Sequence, residues 1–248
     1  MHSADVVILL MLAAFIAGYV DAIAGGGGLI TVPALLIAGL PPAETVATNK
    51  LQGTFGVAAS TLQFWRAGHI DVAALLPAVV SVGIGAAAGS LIVSQLDAAW
   101  LADVMPYVLV AVACNFALVP SARFERAGKS GALSAGAVAA VVLVGTYDGF
   151  FGPGAGSLYL AALVGIAGLG LVAATATTKL LNLTSNVAAL AIFLAWGKID
   201  FSLGLPMAAA QVAGGALGAR SALRHGGAII RPMVVVVSVL LAVRLMLY

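Results

Sequence analysis

The sequence predicts an all-α, polytopic membrane protein with two inverted repeats, and three observations lead to this fold class. Of its 248 residues, 62% are hydrophobic and only 8% are charged, whereas soluble domains carry about 25% charged residues. The mean hydropathy is +1.15, and the apolar stretches are long enough for helices of about 20 residues, the length that crosses a bilayer. In addition, the same short blocks of sequence occur once in each half of the chain.

Two blocks carry the repeat. Residues 47–51 (ATNKL) recur as residues 176–180 (ATTKL), and residues 18–21 (GYVD) recur as residues 145–148 (GTYD), in each case before a cluster of glycines. Because these blocks occupy equivalent places, the chain divides into two equivalent halves. The sequence therefore predicts an N-terminal transmembrane repeat at 1–121, a cytoplasmic linker at 122–130 and a C-terminal transmembrane repeat at 131–248.

Loop charges predict that the two halves lie in the membrane with opposite orientation. The linker carries Arg123, Arg126 and Lys129, and positively charged loops stay in the cytoplasm. The equivalent loops near residues 97–103 and 220–231 carry opposite charge, so they fall on opposite sides. Inverted repeats with interrupted helices are a recurring plan of secondary transporters.

Each half contains four to five helical segments. In the first half we predict helices at 5–22, 28–39, 43–64, 71–94 and 99–119. In the second half we predict helices at 132–149, 155–169, 171–195, 201–221 and 229–247. The second piece of each half is short and follows a glycine break, where a helix cannot continue without cost. Inversion requires that each half crosses the membrane an odd number of times. Three full spans plus a hairpin that returns to its own side satisfy this requirement, and so do five full spans.

The glycine breaks are candidate anion-binding elements. They comprise Gly25, Gly26, Gly27 and Gly28 in the first half, and Gly152 and Gly154 in the second. A helix that begins after such a break presents unbonded N–H groups and about half a positive charge to a ligand. The alternative is close packing of helices, for which glycine is common in membranes.

Lys50 and Lys179 are charged residues within membrane-length apolar runs. A charge at the bilayer centre costs at least about 2.5–3.5 kcal/mol, and such residues usually mark a functional site. We expect both lysines to approach the membrane midplane from opposite faces and to bind an anion, although snorkelling to the headgroups is the alternative. Neutral polar residues within a turn of them complete the candidate substrate site: Asn49, Gln52, Thr178 and Asn182.

Asp21 and Asp148 can be interpreted in three ways. They could pair with the lysines, cap the helices at the glycine breaks, or carry a proton. Capping is favoured by the positive end of a helix, whereas intramembrane carboxyl groups are the usual proton relays of coupled transporters. Asp21 and Asp148 are therefore candidates for proton coupling, with pairing and capping left open.

Other function classes lack support in the sequence. The net charge of +2 is too small and too dispersed to suggest nucleic-acid binding. No zinc-protease, nucleophile-elbow or nucleotide-loop motif occurs, so we predict no enzyme, no catalytic residue, no cofactor and no metal site. The single cysteine excludes a disulfide framework within the chain.

The ordered set of motifs resembles the TauE/SafE sulfite exporter family, also called TSUP transporters. The resemblance rests on residues 18–28 (GYVDAIAGGGG) and 47–53 (ATNKLQG) in the first half, and on 149–154 (GFFGPG) and 176–179 (ATTK) in the second. It covers essentially the whole chain. It implies a multi-pass protein of the bacterial inner membrane that moves sulfite, sulfoacetate or related organosulfur anions.

The two predicted half-sites differ in sequence and are not equivalent. Thr178 stands where the first repeat has Asn49, and the second glycine cluster contains Pro153. Together, residues and resemblance predict an alternating-access secondary transporter of a small anion, with the lipid bilayer as partner. Proton coupling and a homo-oligomer are compatible with this prediction. The alternatives are an anion channel lined by the same residues, or a membrane scaffold that transports nothing.

Overall fold

The computed structural model describes residues 3–96, 100, 103, 104, 107, 131–230, 232 and 233. Within these residues the chain is helical and contains no β-strand, which confirms the all-α class. The helices that the structure bounds at both ends are α1 (Ala4–Ala24), α2 (Gly28–Ile37), α3 (Pro42–Arg66), α4 (Val72–Ser94), α5 (Ala135–Phe150), α6 (Ala155–Gly165), α7 (Leu171–Trp196) and α8 (Phe201–His225).

Four of these helices are long and apolar enough to cross a membrane, namely α1, α4, α7 and α8. This confirms a polytopic membrane fold for the described part of the chain. Helix α3 has 25 residues but a lower hydrophobicity, because its N-terminal half carries the polar residues of the candidate site. Helices α2 and α6 have 10 and 11 residues, about half of the length that a bilayer requires.

The predicted bounds differ from the structure by two to four residues at six helix ends: the ends of α1, α2, α3, α6 and α8 and the start of α5. Helix α2 ends at Ile37 rather than at residue 39, because Gly39 has a φ of 91° and two prolines follow. Helix α6 ends at Gly165 rather than at residue 169, before the left-handed Gly168. Helix α8 continues to His225 beyond the predicted end at 221. The predicted pieces at 99–119 and 229–247 lie largely outside the described residues, and the linker at 122–130 lies wholly outside them.

The fourth helix of each half begins at an aspartate that caps it. Asp71 accepts a hydrogen bond from the main-chain N–H of Ala74, and Asp200 accepts from those of Ser202 and Leu203. Such caps satisfy N–H groups that have no partner within the helix. The caps explain why the Gly-x-Ile-Asp turns stand at the start of α4 and α8.

The two halves pack on each other through glycine-lined contacts. Helix α1 packs against α8, and α5 packs against α4. A Cβ at Gly214 of α8 would overlap the carbonyl oxygen of Phe15, and a Cβ at Gly89 of α4 would overlap that of Thr146. Small residues allow membrane helices to approach to backbone contact. The first helix of each half is therefore held against the fourth helix of the other half.

Helices α3 and α7 occupy equivalent places in the two predicted repeats and run in opposite directions where they meet. The hydroxyl of Thr61 donates to the carbonyl oxygen of Lys179 at 3.0 Å. Seven residues further along α7, Asn186 faces Gly53 of α3, at 3.9 Å from the place of a Cβ. An inverted repeat requires this antiparallel relationship. The orientation of the halves in the membrane stays a prediction.

Candidate functional site

The two glycine breaks lie against each other at the centre of the protein. Gly25 has a φ of 76° and Gly152 a φ of 98°, which is the left-handed region that favours glycine. A Cβ at Gly25 would overlap the backbone of Gly156, and a Cβ at Gly28 would lie 3.0 Å from the Cα of Pro153. The N-termini of α2 and α6 therefore begin side by side.

Helix α2 runs back along α1 after its break. A Cβ at Gly27 would lie 2.9 Å from the carbonyl oxygen of Ala17, and Leu35 shares an apolar cluster with Leu10 and Ala14. This reversal turns the N-terminus of α2 into the protein interior instead of towards a membrane surface. Each such N-terminus carries about half a positive charge.

A small polar cavity lies between the breaks and the long helices α3, α7 and α8. Its volume is about 30 Å³, which is enough for about two water molecules. The residues that line it are Asp21, Gly26, Gly28, Asn49, Lys50, Gly53, Val57, Asp148, Gly152, Gly154, Ala155, Gly156, Asn182, Asn186 and Gln211. The cavity therefore joins residues of both predicted repeats.

Lys50 forms an ion pair with Asp148 on one side of the cavity. Its Nζ lies 2.6 Å from Oδ1 of Asp148, and only 1% of the Lys50 side chain is exposed. The hydroxyl of Ser185 donates to the second carboxylate oxygen. A Cβ at Gly152 would lie 2.9 Å from the lysine Nζ, so glycine leaves the space that this ammonium group occupies.

Lys179 forms the corresponding pair with Asp21. Its Nζ lies 2.9 Å from Oδ2 of Asp21 and also donates to the main-chain carbonyl oxygen of that residue. The other carboxylate oxygen accepts the main-chain N–H of Gly27 at 3.2 Å. Asp21 thus both pairs with a lysine and binds the backbone of the glycine break. Lys179 is completely buried and lies outside the cavity lining.

The main chains of Lys50 and Lys179 lie at different levels along the crossing helices, whereas both aspartates line the same cavity. Since Thr61 meets Lys179 where α3 and α7 cross, Lys50 lies about 16 Å from that level along α3 at about 1.5 Å per residue. Each half of the chain supplies the lysine of one pair and the aspartate of the other. The formal charges cancel, so the two helix N-termini leave the cavity with a partial positive charge.

Asparagine side chains supply further donors to the cavity. Oδ1 of Asn49 accepts from Thr31 at 2.6 Å and from Gln52 at 2.7 Å. Oδ1 of Asn182 accepts from Asn186 at 2.9 Å. Because these carbonyl oxygens already have partners, the amide nitrogens of Asn49 and Asn182 are the groups that can donate to a ligand.

The structure brings some of the predicted site residues together around the cavity and leaves others outside its lining. Nine predicted residues line the cavity: Asp21, Gly26, Gly28, Asn49, Lys50, Asp148, Gly152, Gly154 and Asn182. Five others lie behind that lining: Gly25, Gly27, Gln52, Thr178 and Lys179. Of these, Gln52 bonds to Asn49, whereas the hydroxyl of Thr178 is buried without a hydrogen-bond partner among the described residues.

Six residues of the lining are not among the predicted site residues: Gly53, Val57, Ala155, Gly156, Asn186 and Gln211. Asn186 could have been found, because it follows Asn182 by one helical turn and so lies on the same face of α7. Gln211 is a solitary amide in the apolar helix α8. Its place beside the cavity depends on the packing of α8 against α1 and α3, for which the sequence contains no local signal.

Comparison with known proteins agrees with this membrane architecture. The family model described as "Sulfite exporter TauE/SafE" matches residues 10–245. A probable membrane transporter protein, ORF9, from Sinorhizobium sp is 43% identical over 96% of this chain and 91% of its own length. A probable membrane transporter protein from Haemophilus influenzae is 38% identical, with 97% and 94% covered. The probable membrane transporter protein YfcA from Escherichia coli K12 is also 38% identical, with 96% and 88% covered. No solved structure matches the chain significantly.

Proposed function

The chain belongs to the TauE/SafE family of membrane transporters, and on this premise we propose that it carries a small anion across the bacterial inner membrane by alternating access. The names of the family and its relatives indicate a membrane transporter and not an enzyme. The proposed substrate is an oxyanion of sulfur, a short sulfonate or a short carboxylate. The observation that carries this proposal is the convergence of the N-termini of α2 and α6 on a cavity that Lys50 lines.

The proposed anion would bind where Lys50 and the glycine breaks face the cavity. Main-chain N–H groups at helix N-termini bind anions without side chains, and glycine allows the ligand to approach them closely. The amides of Asn49 and Asn182 would donate to further oxygens of the anion. In this structure the carboxylate of Asp148 occupies the side of Lys50 that the substrate anion would need. Asp148 therefore competes with the substrate for that ammonium group.

Protonation of Asp148 would remove this competition. A neutral Asp148 can keep its contact with Ser185 while Lys50 turns to the anion. Binding of a proton and of an anion would then favour each other at one site, which is a physical route to proton coupling. Asp21 is held by Lys179 and by the N–H of Gly27, so releasing it would also break a contact with the glycine break.

The asymmetry of the ion pairs supports alternating access. Lys50 lines the cavity, whereas Lys179 is sealed behind Asp21. In transporters with inverted repeats, exchange of conformation between the repeats opens the opposite side of the membrane. We therefore propose a second state in which Lys179 lines the cavity and Lys50 is sealed. A cavity of about 30 Å³ must widen to admit a sulfonate, which also requires such a rearrangement.

The proposal is tested with the purified full chain. Melting temperatures are first measured with sulfite, thiosulfate, sulfoacetate and short carboxylates, because ligands of the folded state raise apparent stability. Anions that bind are then followed into proteoliposomes for wild type, Lys50→Ala, Lys179→Ala and the exposed control Lys198→Ala. We expect saturable transport in wild type and control, and its loss in both intramembrane lysine variants. Unchanged transport in these variants, or no binding of any anion, would overturn the proposal. Non-saturable flux would instead indicate a channel.

A further inference from the structure

Gln211 of α8 is a buried amide whose carbonyl oxygen has no partner. Only 3% of the residue is exposed, and its Oε1 is buried without a hydrogen bond among the described residues. The side chain lines the cavity between the glycine breaks. Buried polar atoms are almost always hydrogen-bonded, and each exception requires an explanation.

Two glycines on neighbouring helices make room for this side chain. A Cβ at Gly18 of α1 would lie 2.8 Å from Cγ of Gln211, and a Cβ at Gly56 of α3 would overlap the same atom. The glutamine therefore passes between α1 and α3 on its way to the cavity. Space is kept on both sides for an amide whose carbonyl oxygen has no partner among the described residues.

The cavity presents hydrogen-bond donors, two carboxylates that are each bound to a lysine, and this amide oxygen without a partner. Lys50, Asn49 and Asn182 can donate hydrogen bonds to the oxygens of an anion, as can the N–H groups at the breaks. The carbonyl oxygen of Gln211 can only accept, so it repels the oxygens of a bare anion. It is satisfied when the ligand itself carries an O–H or N–H group.

We propose that Gln211 determines specificity by accepting a hydrogen bond from a hydroxyl or amino group of the transported anion. This inference rests on the proposed function and names the substrate class more narrowly: a small sulfonate or carboxylate that also carries a hydrogen-bond donor. An analogue that lacks the donor would leave Oε1 unpaired when the cavity closes, and an unpaired buried acceptor weakens binding substantially.

The experiment compares pairs of anions that differ by one donor. Dissociation constants of the purified protein are measured for glycolate against acetate, for isethionate against ethanesulfonate, and for taurine against ethanesulfonate. The first two pairs test a hydroxyl group at constant charge, and the third tests the ammonium group of taurine, a zwitterion that differs from ethanesulfonate in net charge as well. We expect wild type to bind the donor-bearing member of at least one pair about 10- to 100-fold more tightly.

The variant Gln211→Met removes the acceptor and keeps an unbranched side chain between Gly18 and Gly56. We expect its preference to fall to nearly 1, chiefly because the donor-bearing anion binds more weakly. Gln63→Met makes the same change outside the cavity and should keep the preference. A structural role of Gln211 would weaken both members of a pair equally, so an unchanged ratio in Gln211→Met would overturn the inference.

If Gln211→Met does not fold, the affinities of the wild-type protein for the three pairs still test the inference. Equal affinity of wild type for both members of all three pairs would overturn the inference while leaving anion transport intact. If wild type prefers the donor-bearing anion, Gln211→Asn, which shortens the amide by one methylene, should reduce that preference. Failure of wild type to bind or transport any anion would instead contradict the proposed function, and the inference would fall with it.

Discussion

Lys50 and Asp148 form a buried ion pair across the two halves of the chain, with Nζ and Oδ1 2.6 Å apart. Lys179 and Asp21 are bound to each other in a second buried pair. The pair holds α3 against α5 at the wall of the cavity. Under the proposed function the pair must open during transport, so its strength and the transport rate would be linked.

The first prediction concerns the stability of this pair. Lys50→Met or Asp148→Asn alone leaves one polar group without its partner, and loss of one member of a buried pair costs about 3–5 kcal/mol. We expect the double variant to recover part of that loss but to remain inactive in transport. Free energies of unfolding in detergent and anion flux in proteoliposomes measure the two effects. Additive losses in the double variant would show that the two side chains are not coupled.

The second prediction concerns the proton. Asp148→Asn keeps an acceptor for Ser185 but cannot exchange a proton, so anion exchange down a gradient should continue while acceleration by a pH gradient is lost. The measurement is flux into proteoliposomes with and without an imposed pH gradient. Asp71→Asn makes the same change at an exposed helix cap and should respond to the gradient like wild type. Gradient-driven transport in Asp148→Asn would remove this residue as the proton carrier.

The third prediction concerns separation of the glycine breaks. A Cβ at Gly28 would lie 3.5 Å from the Cβ of Pro153, within the range of about 3.5–4.5 Å that disulfides need. In a background with Cys114→Ser, the double variant Gly28→Cys/Pro153→Cys should form a disulfide that stops transport, and reductant should restore it. The single cysteine variants serve as controls. Full transport in the cross-linked protein would show that the breaks need not part.

The fourth prediction concerns the contact between α4 and α5. Gly89→Ala would place a methyl group on the carbonyl oxygen of Thr146, and overpacking of this kind costs about 1–3 kcal/mol. Gly136 of α5 has open space around it, so Gly136→Ala should be neutral or stabilise the helix by up to about 1 kcal/mol. Thermal unfolding of both variants tests this difference. Equal melting temperatures would contradict the close contact of the two backbones.

The helices were largely predictable because their signals are local. Apolar length, the aspartate caps and the glycine breaks each act within one or two turns, and the predicted starts of α2, α6, α7 and α8 agree with the structure. The predicted ends of α2 and α6 were wrong because Gly39 and Gly168 stop these helices early with left-handed turns. Sequence signals within one or two helical turns were therefore enough to predict most of the helices.

The four charged residues around the cavity were predictable from the sequence, but their pairing was not. Intramembrane charge pointed to Lys50, Asp148, Lys179 and Asp21, yet which lysine meets which aspartate depends on how the halves cross. Gln211 was not predicted because its place beside the cavity depends on two glycines of other helices, Gly18 and Gly56. The sequence of α8 alone contains no signal for this packing. Long-range packing therefore accounts for the part of the site that the sequence left open.

The meeting of the two glycine breaks has a consequence for how this transporter can change during evolution. Main chain meets main chain between the breaks, at Gly25 with Gly156 and at Gly28 with Pro153. The groups that would select the cargo belong to side chains on α3, α7 and α8. Under the proposed function, the side chains that discriminate between anions and the contact between the breaks would be encoded at different positions, so side-chain selectivity would change by substitution in the long helices without altering that contact.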